Sequence, residues 1–229
     1  MYNDGKTILD GQNGWDENNW YSYGTESNSK NWANTQTQDG SMWVWIPRFA
    51  YKIDLTNKTI DVKFLIGTSD NYYDGDQIKT AQRQKTPGQK IDTTADCYTV
   101  HPAFTNEKSI NYANGGWKEE IQGFWIAKFE AGLPDENTAP KTSYGSDLYY
   151  PVYQGQKDSY NYITISQSFL LAKAVSEPGN PYGIANADSH LIKNSEWGAV
   201  AYLSYSQYGK TGGRYQSTTE EEKAKEVYI

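Results

Sequence analysis

Few side chains in this sequence have both the type and the setting for chemistry: Cys97, His101, His190, Glu130, Glu196 and the acidic run Ser69-Asp70-Asn71-Tyr72-Tyr73-Asp74-Gly75-Asp76. A nucleophilic cysteine needs a base within hydrogen-bond reach and a lowered pKa. Cys97 has only Asp96 beside it, and the two histidines are the sole imidazoles of the chain. Neither falls in an HExxH pattern or another close metal-ligand spacing, so zinc or facial-triad iron has no sequence support, and structural hydrogen bonding is the expectation for both. Glycoside hydrolysis would require paired carboxylates about 5 or 9 Å apart. Glu196 is better explained as a first-turn helix acid stabilised by free backbone amides. Asp70, Asp74 and Asp76 have the look of an oxygen-rich calcium loop but lack the twelfth-position Glu and flanking helices of an EF-hand, so calcium is the alternative to a solvated turn. No other cofactor and no catalytic role is expected.

The elements that must position these groups come from 229 residues, enough for one sizeable core burying roughly 70–75 % of the unfolded surface. One cysteine permits no internal disulfide and no four-thiolate metal site. A formal charge of -7 disfavours nucleic acid and anionic lipid as partners. No apolar run of 18 residues is present, and the start MYNDGKTILDG has neither the basic nor the apolar region of a signal peptide. The distinguishing feature is 20 Tyr and 8 Trp against 6 Phe. These rings combine apolar area with a polar handle and lose little rotamer freedom when a surface is frozen on binding.

Residues 1–40 read as an irregular polar segment pinned by aromatics, with one short strand at most. Met42 to Ile46 reads as a strand ended by Pro47. Phe49 to Ile53 and Thr59 to Ile66 form a hairpin about the turn Asp54 to Lys58, with Phe49, Tyr51 and Ile53 on one face and Ile60, Val62 and Phe64 alternating opposite. Residues 67–96 read as a long polar loop, Tyr98 to Phe104 as a short extended piece, and Gly123 to Glu130 as a central strand. Leu148 to Tyr153 reads as a further short strand. Thr164 or Ser166 caps a helix over about 166–175 with Phe169, Leu170, Ala172 and Val175 inward. Asn194 or Ser195 caps a second helix, Glu196 to Tyr208, with Trp197, Val200, Ala201, Ser204 and Tyr208 on one face. Residues 210–229 read as a terminal helix or assembly segment ending in the apolar Val227-Tyr228-Ile229.

Four stretches, Met42 to Lys52, Val100 to Phe104, Gly123 to Glu130 (GFWIAKFE) and Leu191 to Leu203 (LIKNSEWGAVAYL), resemble in the same order a family of Firmicute and prophage surface or tail-associated proteins. These carry a C-type-lectin-like domain of the formylglycine-generating enzyme and sulfatase-modifying factor superfamily. The resemblance implies an α+β, C-type-lectin-like fold over residues 41–209, with small twisted antiparallel sheets, two or three helices and long irregular loops. It implies a core containing Trp43, Trp45, Trp125, Phe129 and Trp197. The oxidase members' late cysteine pair has no counterpart here, nor does the relatives' Gly-rich segment after the core helix, so the domain is expected to lack the late part of that fold.

The expectation is therefore a noncatalytic receptor-binding or adhesion domain of a phage tail or bacterial surface structure, placed in a virion or at the cell surface. A structural virion or assembly component is the alternative. Partners would be a host surface glycan or protein, other subunits of the structure, or a second copy of the chain. Tyr and Trp faces stack on sugar rings, so the candidate contacts are Trp15, Trp20, Trp32, Tyr72, Tyr73, Trp117, Tyr149 and Tyr150.

Overall fold

In a computed structural model, residues 34–57, 59–83, 97–106, 117–134, 148–206 and 208 are described, together with two short strands, β1 (Tyr2–Asn3) and β2 (Lys6–Thr7), which pair antiparallel. The alternating run MWVWIP forms β4 (Met42–Pro47), the middle strand of a three-stranded sheet flanked by β3 (Asn34–Gln36) and β10 (Gly123–Ala127). β10 is thus an edge strand, although its apolar composition reads as central. Within it only Phe124 is buried.

β5 (Phe49–Asp54) and β6 (Thr59–Phe64) form the expected hairpin, in the register Phe49↔Phe64, Tyr51↔Val62 and Ile53↔Ile60 that joins the two alternating apolar rows. The turn is locked by Asp54, whose carboxylate accepts from the amides of Thr56 and Asn57. β9 (Thr99–Val100) adds to the other edge of β5, and a 3-10 turn (Pro102–Phe104) follows.

The stretch read as one long loop from 67 to 96 contains a second hairpin, β7 (Asn71–Asp74) and β8 (Gln77–Thr80). Polar composition hid it. Its signal is Asp74-Gly75, with Gly75 at φ +60°, a conformation that glycine adopts without a Cβ penalty. Leu148 to Tyr153 forms no strand; it meets Gly132 in the bridge Gly132↔Val152, and Tyr153 O accepts from the Met42 amide at 2.9 Å.

Among the described residues two helices complete the α+β set. Helix α1 (Ile165–Ala174) begins at Thr164, whose hydroxyl accepts from the Gln167 amide while the Gln167 side chain accepts from the Thr164 amide. It buries Leu171 and Ala172, followed by Val175, but Phe169 and Leu170 are 53 % and 55 % exposed, against the inward placement read from the sequence. Helix α2 (Asn194–Ser204) starts two residues earlier than read from the sequence, at the Lys193 cap, and ends four residues sooner. Its buried row is Glu196, Ala199, Val200 and Leu203, so Trp197 lies outside that row and is 59 % exposed. Trp197 is therefore not a core residue: at 100° per residue, a face centred on Ala199 and Val200 turns position 197 outward.

The described residues fall into two compact units, one built from 34–45 and 125–192 with β1 and β2, the other from 46–83, 97–124 and 193–208. The first unit buries Val44, Leu133, Val152, Leu171, Ala172, Val175 and Tyr182. The second buries a larger set, including Ile46, Phe49, Tyr51, Val62, Phe104, Val200 and Leu203. Trp43, Trp45, Trp125 and Phe129 are half-buried, with Trp43 against Tyr153 at 4.8 Å and Trp45 against Trp125 at 5.3 Å between ring centroids. Residues 210–229 and most of 1–33, including the terminal helix read over 218–226, lie outside the described residues.

Candidate functional site

The exposed tyrosines of the first unit, Tyr149, Tyr150 and Tyr162, lie on two segments joined through Gly132. This glycine bridges to Val152 on one side and Ser159 on the other, while the Leu133 amide donates to Asp158 O and the Tyr160 amide to Ala131 O. A Cβ at 132 would lie 2.7 Å from Lys157 Cβ and 3.3 Å from both Asp158 O and Val152 O, so only glycine lets the three strands of chain close up. A second set of bonds fixes the same segment from below. The Asp39 carboxylate accepts from the hydroxyls of Thr37 and Ser41, the Ser41 hydroxyl accepts from the Tyr153 amide at 2.9 Å, and Gln154 Nε2 donates to Asp39 O at 2.8 Å.

On this base Tyr149 and Tyr150 remain 45 % and 38 % exposed, with Leu148 beside them at 37 %. The Tyr149 amide donates to the Tyr160 hydroxyl at 3.0 Å. The Tyr150 ring meets Tyr182 edge-on at 6.1 Å, and Tyr182 is itself buried, its hydroxyl donating to Pro151 O. Burial pushes the Tyr182 phenol far above its ordinary pKa, so that hydroxyl stays protonated and remains a donor. Tyr153, half-buried, is pushed up to about 12 by partial desolvation and by the nearby Asp39 charge.

Tyr162, not singled out by the sequence, belongs to the same strand of chain and is 42 % exposed. Its φ of +48° is a left-handed conformation that bulky residues rarely adopt. Glu130, whose Oε2 accepts from the Ser159 hydroxyl at 2.9 Å, and Asp158 supply carboxylates on the neighbouring exposed surface. The arrangement offers aromatic faces and hydrogen-bonding groups on a backbone already tied down.

The remaining sequence candidates are dispersed. Trp15, Trp20 and Trp32 lie outside the described residues. Tyr72 is 4 % exposed and packs on Tyr98 at 5.2 Å, because successive strand residues face opposite ways and its neighbour Tyr73 takes the outer face at 60 % exposure. Trp117 is engaged on its edge and its face: Nε1 donates to Ala103 O at 2.8 Å and Lys193 Nζ sits 3.8 Å from the ring centroid. Tyr72 and Trp117 are thus packing residues and not ligand platforms.

Two of the three acids in the cluster are claimed by cations of the chain itself, while Asp76 lies exposed on the β7–β8 turn. Asp70 bonds Arg48 and Arg83, and Asp74 pairs with Lys63 and Lys79. Hydrogen bonds from Lys79 and Lys63 hold the Asp74 carboxyl below its usual range. For Asp70, burial acts upward, but Arg83 and Arg48 outweigh it and the pKa is lowered. Among the described residues no group of three or more His, Cys, Asp or Glu comes together.

His101 is buried against Phe49, Tyr51, Phe104 and Tyr202, with ring centroids 5.1 to 6.1 Å away. Its Nδ1 accepts from the Ala103 amide, capping the 3-10 turn, and burial depresses its pKa to about 3. His190 bonds Asp188 Oδ1 at 3.1 Å. Glu196 accepts from the Lys193 amide at 2.8 Å, the helix-start role read from its position. Cys97 is a half-buried free thiol.

The sequence also passed over Arg48, Arg83 and Glu120. A lone Arg48 inside the apolar run Trp45-Ile46-Pro47-Arg48-Phe49-Ala50 was the available signal, since a charge there must be buried and paired. No helix among the described residues is long and apolar enough to cross a membrane. Compared with models of protein families, with curated proteins and with solved structures, the chain matches none.

Proposed function

We propose that this chain is a noncatalytic ligand-binding domain with a C-type-lectin-like fold of the sulfatase-modifying-factor type, acting as a receptor-binding or adhesion module of a phage tail or bacterial surface structure. The ligand is a host surface carbohydrate or protein, met in a virion or at the cell surface. The observation that carries this reading is the tyrosine platform. Tyr149, Tyr150 and Tyr162 stay 38–45 % exposed while Tyr160, Tyr182 and Ser41 fix the backbone at Tyr149, Pro151 and Tyr153. A ring held in place before contact loses little ordering entropy on binding. Tyrosine faces stack on sugar rings, and the exposed carboxylates of Glu130 and Asp158, on the segments joined through Gly132, are of the kind that accepts from sugar hydroxyls.

The test is retention of the full chain on arrays of surface glycans and on intact bacterial envelopes. Binding that is lost in the double variant Tyr149→Ala/Tyr150→Ala, with an unchanged melting temperature, supports recognition through this platform. Absence of retention on every surface removes the reading.

A second reading, a structural component of a virion or other assembly without a host ligand, is favoured by one observation: the outer face of α1 is more apolar than a solvated helix requires.

A further inference from the structure

Helix α1 is amphipathic in the wrong sense for a free surface helix. Its exposed positions are Ile165, Ser166, Phe169, Leu170 and Lys173, spaced i, i+1, i+4, i+5 and i+8 along a single stripe. Ile165 is 86 % exposed, Phe169 53 % and Leu170 55 %. Three large apolar side chains thus face outward within two turns of one helix, where a solvated face would carry polar groups.

From Ser159 to Ala172 the sequence carries no charged residue. In a chain of net charge -7, two copies repel each other over most of their surface, and a charge-free stretch is where they can approach. We propose that the outer face of α1 is a self-association surface, on which a second copy of this chain docks its own α1 antiparallel about a two-fold axis at Phe169.

The spacing supplies the register. An isologous contact pairs each position with its mirror through the axis. Phe169 then meets Phe169 of the second copy, and Ile165 meets the alkyl stem of Lys173 eight residues on, about 12 Å along the helix. Lys173 keeps its ammonium in water at the patch rim. Antiparallel helices also bring opposite dipole ends together.

Area decides the strength. A stable dimer needs about 800 Å² per partner, and one face of a three-turn helix offers a few hundred, so the dimer is weak and reversible. This inference stands apart from the tyrosine platform and holds whether or not a glycan binds there.

The experiment is sedimentation equilibrium of the full chain from about 10 µM to about 1 mM, a range that brackets a weak dimer. The expected result is a mass rising from monomer toward dimer, and at least about a tenfold weaker association in Phe169→Glu, because an ion would be desolvated on the axis. Position 169 is already half exposed, so the variant should fold, and its melting curve checks that it has. In a Cys97→Ser background, Phe169→Cys should oxidise to a disulfide-linked dimer, while Leu55→Cys, on the exposed β5–β6 turn, should not. A monomeric mass at every concentration overturns the proposal. So does a dimer that survives Phe169→Glu, which would place the contact on another face.

Discussion

Arg48 Nη2 lies 2.9 Å from Asp70 Oδ1, with the arginine side chain entirely withdrawn from solvent. The same guanidinium reaches Glu120 Oε2 at 2.8 Å, Phe104 O at 2.8 Å and Ser69 O at 3.0 Å, and Arg83 closes the ring by bonding Asp70 and Glu120. Two cations and two anions thereby tie the start of β5, both flanks of the β7–β8 hairpin, the 3-10 turn and the approach to β10. Burying a charge is tolerated when it is paired and hydrogen-bonded, and Arg48 donates through Nε, Nη1 and Nη2, while Glu120 Oε2 faces it as an ion pair without a hydrogen bond.

Removing one member of this ring leaves Arg48 short of a partner. Asp70→Ala is expected to cost about 3 kcal/mol, the low end for a broken buried pair because Glu120 remains. Chemical denaturation of the variant measures it. A change below about 1 kcal/mol, the size of a surface pair, would show that the ring is not a structural lock.

The same pair makes stability fall in acid. The Asp70 pKa is lower in the folded chain than its ordinary value, so its contribution is present above that value and is lost as pH drops through the folded pKa. Melting temperature should therefore decline below about pH 4, with a shallower decline in Asp70→Asn.

His101 acts higher on the pH scale and through burial alone. Its pKa of about 3 lies below that of an unfolded histidine, so the unfolded chain takes up the proton first. The contribution of the neutral ring is complete above about pH 6.5 and is withdrawn as pH falls from there toward 3. His101→Gln should flatten the stability profile between pH 6.5 and 4. An unchanged slope would assign that region to other groups.

Gly132 is the pivot of the tyrosine platform. Gly132→Ala brings a Cβ to 2.7 Å from Lys157 Cβ and against two carbonyls, so overpacking of about 1–3 kcal/mol is expected. Ligand retention should weaken with it, since the segments bearing Tyr149 and Tyr162 are joined there. By contrast Tyr162→Gly relieves a left-handed backbone at a cost of one ring. It should change stability by no more than about 1 kcal/mol while reducing retention. Loss of retention in neither variant would separate Gly132 and Tyr162 from recognition.

Much of the second unit was legible in the sequence. Alternation in Phe49 to Ile53 and Thr59 to Ile66 determined both the β5–β6 hairpin and its register, because a slip of one residue would turn every apolar side chain outward. Thr164 was one of the two caps legible for α1, and its capping box with Gln167 decides between it and Ser166. Glu196 was likewise legible as a first-turn acid. These are short-range effects, settled within a few residues.

What the sequence determined by itself, then, was the α+β composition, the strand and helix positions where periodicity is strong, and an excess of Tyr and Trp. Which of those rings face water was decided by tertiary structure alone. Tyr72 and Tyr73 are neighbours of one type, yet one is buried and the other exposed. Trp197 and Phe169 carry apolar side chains outward because the faces of α2 and α1 are set by what packs against them. Asp70, read as a possible calcium ligand, is held by arginines 22 and 13 residues away in sequence. Periodicity reports the shape of a segment; the direction that segment faces depends on partners distant along the chain, and no local spacing encodes them.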